Sequence, residues 1–152
     1  MATRQGQPSQ RRTIEQERAQ QAWHNIEQIR PRKKQEGETE QQRKAREKEE
    51  KRAREYSSRA KSLPSMIQTN GLGATLAFLR AKAGTEHTAA DYKLYEHIAS
   101  RIIYYLEYSS EDVMDMIRNA DTSTYRRATT EAIAFGIWLK RYVEAEGWDE
   151  EK

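Results

Sequence analysis

A chain of 152 residues without cysteine, 36% hydrophobic, 34% charged and with a mean hydropathy of −1.11, has room for one ordinary domain or a domain with a tail. It excludes a disulfide framework and a thiolate metal site, and its 3 Pro and 7 Gly argue against a turn-rich all-β fold. The net charge of +3 hides an asymmetry: residues 1–60 carry 16 Lys+Arg against 10 Asp+Glu, and residues 61–152 carry 11 against 14. The first part therefore suits either an acidic partner such as nucleic acid or a plain solvated surface.

The opening stretch MATRQGQPSQRR lacks the apolar core of a signal peptide, and no apolar run approaches the roughly 20 residues of a membrane span, so a cytoplasmic location is expected. Residues 1–12 hold no apolar anchor and read as a disordered tail. Thr13 and Gln16 have the spacing of a capping box. Ile14, Ala19, Ala22, Trp23, Ile26 and Ile29 then form one apolar stripe, which Pro31 brings to an end. Residues 32–55 are nearly free of apolar side chains, and Gly37 is their one breaker. Glu40–Lys44, Glu47–Lys51, Glu50–Arg54 and Glu55–Arg59 are pairs at helical spacing, each stabilising a helix by about 0.2–0.5 kcal/mol. The stretch suits an exposed helix, whereas a heptad coiled coil lacks its apolar seam.

From Ala53 an inner face appears, through Tyr56, Ala60 and Leu63. Asn70-Gly71 signals a turn, Leu72, Leu76, Leu79 and Ala83 form the next stripe, and Gly84 is a stop. Thr88 with Asp91 starts a helix carrying Tyr92, Tyr95, Ile98, Ile102 and Tyr105. Ser110 caps a short helix with Val113, Met116 and Ile117. Asp121 or Thr122 caps the last helix, whose inner positions are Tyr125, Ala128, Ala132, Phe135, Leu139 and Tyr142, with Gly147 near its end. No period-2 alternation and no repeat is present. The expected class is all-α: a single small helical bundle of about five or six helices with a long charged N-terminal helical segment. The expected division is a tail at 1–12 and a helical domain at 13–152, with a charged helix or linker insertion at 30–52.

Chemistry-bearing clusters are scarce. His24, His87 and His97 have no ligand spacing, and no serine sits in a nucleophile elbow. Asp112 and Asp115 at a helix start read as caps. The Asn70–Gly73 turn lacks the glycine and lysine pattern of a phosphate loop and follows a helix, so it reads as a tight helix–helix turn, with Gly73 able to let helices approach. No catalytic residue, metal or cofactor is expected. Tyr92, Tyr95 and Tyr105 have core spacing, while Tyr104 and Tyr108 lie on another face and suit a partner contact. Arg59, Lys61, Arg80, Lys82, Arg126, Arg127, Lys140 and Arg141 flank apolar stripes, where folding fixes their positions for phosphates without reading sequence.

Four stretches resemble a known family. They are Thr13–Ala19 with Ala22-Trp23, LPSMIQTNGLGATLAFLRAK from Leu63 to Lys82, Tyr92 to Leu106, and Tyr125–Thr129 continuing through Glu131-Ala132 and Trp138–Arg141 to Glu146. Together they resemble the small subunit of the type III-B, Cmr-type CRISPR effector complex. Residues 30–52 depart from it, being longer and more charged than the family's usual link. The resemblance implies a non-catalytic helical bundle that stacks with copies of itself as an inner filament. That filament lies beside backbone subunits holding the guide RNA, with target RNA paired between the two. Cleavage then belongs to the backbone subunits and cyclic-nucleotide synthesis to the large subunit. The alternatives are an independent RNA- or DNA-binding protein acting through residues 32–55 and, more weakly, an enzyme using His97 or the Asp112/Asp115 pair.

Overall fold

A computed structural model describes residues 12–149, and among these every regular element is a helix. The order is α1 (Ile14–Ile29), α2 (Glu40–Asn70), α3 (Leu72–Ala83), α4 (Ala90–Leu106), α5 (Val113–Asn119) and α6 (Thr122–Glu146). The expected tail lies outside the described residues except for Arg12.

Local sequence sets most of the ends. Thr13 and Gln16 form the expected capping box on α1, and Arg30, before Pro31, closes it. A second capping box, Thr39 with Gln42, starts α2 and was not read from the sequence although its spacing is the same. Between them, 30–39 is a connector that turns at Gly37, whose φ of 76° suits glycine. The charged tract from Glu40 is thus the first part of one 31-residue helix. Pro64 lies inside that helix and cannot donate to the turn before it. The helix continues because Ala60, Leu63 and Ile67 are buried around it, with Gly136 of α6 close against Leu63 and Pro64.

Two expected caps shift. α4 begins at Ala90 with Ala89 as its cap, without a side-chain bond, while the Thr88 hydroxyl turns to Glu86. Asp112, not Ser110, caps α5, accepting from Met114 N–H at 2.9 Å, and Ser110 Oγ instead accepts from Asp112 N–H. Asp121 caps α6.

The long helices α2 and α6 pack on one another, α1 lies against α6, and α4 fits among α2, α3 and α6. Leu76, Leu79, Ile98, Ile102, Phe135 and Leu139 are fully buried in one core with Ile26, Tyr56 and Leu63. At the joint between α2 and α3, Gly71 has φ 90°, and Gly73 N–H donates to Tyr125 Oη at 2.9 Å. A Cβ on Gly73 would stand 2.9 Å from Ile117 Cγ2, so this glycine does let α5 and α6 close on α3.

Candidate nucleic-acid interface

The eight cations singled out from the sequence occupy three kinds of setting. Arg59 donates through Nε to Asp91 Oδ1 at 2.7 Å and lies over the Phe78 ring, Lys61 is paired with Asp149, and Arg141 donates to Glu144 at 3.0 Å. These three are already compensated inside the chain. Arg80 and Arg127 are exposed but rest on aromatic faces, Arg80 over Tyr95 at 5.4 Å and Arg127 over Tyr105 at 5.8 Å. Lys82, Arg126 and Lys140 have no ion pair among the described residues, and the first two are exposed. Arg126 and Lys140 both lie on α6. Close to four helical turns separate them, so they share a face about 21 Å apart along a rigid rod.

The charged tract is different. Arg32 holds Glu49 with bonds of 3.1 and 2.7 Å, Arg43 pairs with Glu40 and Glu47, and the buried Arg46 holds Glu38 and Glu50. Arg32 and Arg46 are thereby engaged in fixing the connector to α2, which disfavours the tract as a free-standing nucleic-acid grip. Its lysines meet solvent, with Lys33, Lys34, Lys44, Lys48 and Lys51 all exposed.

The residues weighed for catalysis are engaged structurally. His97 is buried, with Nδ1 at 2.7 Å from Tyr56 Oη and Nε2 at 2.8 Å from Gln28 Oε1. With Nε2–H donating to Gln28, Nδ1 accepts the Tyr56 hydroxyl and neither ring nitrogen is left for a substrate. Burial, helped by nearby Lys93 and Arg52, pushes its pKa down to about 3, so the ring is neutral near pH 7. Asp112 caps α5, and Asp115 accepts from Asn119 at 2.8 Å. Among the described residues no group of three His, Cys, Asp or Glu is placed to hold a metal ion, and no helix is long and apolar enough to cross a membrane.

Sequence reasoning missed the most buried charges in the described residues. Glu131 accepts Arg18 through two bonds of 2.8 Å and Arg101 Nε through a third, while Arg101 Nη1 reaches Gln21 at 3.0 Å. The triad ties α1, α4 and α6 together. It left no signal because charged residues on an amphipathic helix ordinarily face water.

The all-helical bundle agrees with the comparisons to known proteins. The model of a family described as CRISPR-associated protein (Cas_Cmr5) matches residues 39–146, from the cap of α2 to the end of α6. The chain belongs to the Cas_Cmr5 family. A Thermus thermophilus protein described as CRISPR system Cmr subunit Cmr5 is 28% identical over 91 residues, which are 60% of this chain and 74% of the relative. The crystal structure of a CRISPR-associated Cmr5 family protein, also from Thermus thermophilus, aligns with a TM-score of 0.59 at 25% identity, covering 89% of this chain and 97% of that one. The resemblance to the Cmr-type small subunit drawn from the sequence is thereby borne out. The Cas_Cmr5 match takes in the charged head of α2 and leaves out α1 and the connector before Thr39.

Proposed function

We propose that this Cas_Cmr5 chain acts without catalysis as the small subunit of a Cmr-type CRISPR effector complex. It packs with copies of itself beside the backbone subunits and supports the guide RNA–target RNA duplex in antiviral defence. Of the eight sequence candidates, Lys82, Arg126, Arg127 and Lys140 carry the phosphate contacts. The observation behind this is that these four are fixed by α3 and α6 yet free of ion pairs among the described residues, whereas Arg59, Lys61 and Arg141 are paired within the chain and Arg80 shares a cleft with the carboxylates of Glu96, Glu111 and Asp112. A guided complex accepts any target, so a supporting subunit grips duplex shape and charge while base pairing supplies sequence. No catalytic step is assigned to it.

The test is co-purification with the backbone subunit and guide RNA, alongside RNA cleavage and nucleotide hydrolysis assays on the chain alone. Firm association only within the assembly, with no turnover alone, is expected. Tight RNA binding by residues 32–55 without partners would favour an independent basic binding protein. Metal-dependent turnover lost in His97→Ala or Asp115→Ala would make the chain an enzyme.

A further inference from the structure

A cleft of about 670 Å³ runs along α4, bounded by the end of α3 and the start of α5. Its walls combine two chemistries. Tyr92, Tyr95 and Tyr104 line it, and Tyr104 is 66% exposed, the largest exposure among the big apolar side chains of the described residues. Three carboxylates line it as well. Asp112 has one oxygen on the Met114 N–H, Glu96 has only Lys93 at 3.4 Å, and Glu111 has no ion pair among the described residues. The one cation in the lining is Arg80.

We propose that this cleft receives an arginine or lysine side chain carried by a protein partner. The exposed ring of Tyr104 can take a cation on its face, and three carboxylates against Arg80 and the Lys93 that Glu96 holds leave an excess of negative charge to neutralise. Arg80 shows the geometry from inside, with its guanidinium over the Tyr95 ring at 5.4 Å. Ala99, Ile103 and Val113 between the polar groups offer apolar surface to the methylene stem of a long basic side chain. A nucleic acid would stack a base on the same rings only by bringing its phosphates against the carboxylates, so this face turns to protein. The inference is independent of where RNA lies, because it needs neither Lys82 nor the cations of α6.

The experiment is an amide-detected NMR titration of the isotope-labelled full chain with a tri-arginine peptide, beside tri-glutamine and hexauridylate. Saturable shifts at Tyr92, Ser100, Tyr104 and Glu111 are expected for tri-arginine alone. Tyr104→Ala, on the exposed rim where folding is not at stake, weakens binding about threefold, as does Glu96→Gln with Glu111→Gln. Arg80→Gln strengthens it, because the resident guanidinium is removed. Shifts spread over the surface and unmoved by Tyr104→Ala would overturn the site. So would hexauridylate moving the same amides and losing affinity in Arg80→Gln, which would make it an RNA site.

Discussion

Arg101 on α4 donates from Nε to Oε2 of Glu131 on α6 at 2.8 Å, and each side chain is 1% exposed. Arg18 of α1 takes the same carboxylate in a fork, and its pKa is raised by that bond. One acid therefore compensates two guanidinium groups from two other helices. Glu131→Gln strands both and is expected to lower unfolding stability by about 3–5 kcal/mol. Arg101→Met is milder, since Arg18 still satisfies Glu131. Urea denaturation checks both, and a Glu131→Gln loss below about 1 kcal/mol would mean that the charges are solvated.

His97 makes stability depend on pH in a definite direction. Its pKa is depressed in the folded chain from 6.5 to about 3, so below pH 6.5 the unfolded chain takes up a proton that the folded chain refuses. The contribution is fully present above pH 6.5. It falls as pH drops towards 3, by about 1.4 kcal/mol per pH unit. His97→Gln, measured by urea midpoints between pH 7 and pH 4, should be less stable at pH 7 and flatter by about one proton. Parallel profiles for the two proteins would show that His97 is protonated in the fold.

The joint of α3 with α5 and α6 rests on Gly73. Gly73→Ala puts a methyl 2.9 Å from Ile117 Cγ2 and 3.2 Å from Tyr125 Oη, and is expected to cost about 1–3 kcal/mol. In an Ile117→Ala background the same change should cost clearly less, a coupling readable in a double-mutant cycle. Equal costs in both backgrounds would place the strain elsewhere.

Leu76 and Leu139 are fully buried on α3 and α6. Either one changed to Ala should lose about 2–5 kcal/mol in thermal or urea unfolding. A loss under about half a kcal/mol would reverse the assignment of those faces.

What could be read in advance followed the periodicity of apolar residues. The stripes through Leu76, Ile98 and Phe135 give the class and the core directly, because a 3.6-residue period needs no partner to be seen. The departures share a cause. Ile14 and Trp23 belong to the stripe of α1 yet are 48% and 39% exposed, Trp23 lying beneath Arg30, because α6 covers only part of that helix. Tyr92 stacks on His87 at 4.1 Å, half-buried at the cleft and not in the core. The burial of His97, Arg101 and Glu131 left no signal in the sequence, since their partners lie 30 or more residues away. The basic candidates were legible as a set. Which of them remain free was not, because Asp91 and Asp149 come to Arg59 and Lys61 only through the fold.

The central claim is sequence-blind support of an RNA duplex from α3 and α6. Its most direct test is target-RNA affinity of the assembled complex at several salt concentrations, with two unrelated guides. Arg126→Gln combined with Lys140→Gln should weaken both targets alike and lower the salt slope by about two, since each neutralised phosphate contributes about one. Lys82→Gln with Arg127→Gln should do the same. The account is contradicted if these pairs leave affinity and slope unchanged while neutralising Lys33, Lys34, Lys44 and Lys48 abolishes binding, or if they weaken one guide's target and spare the other.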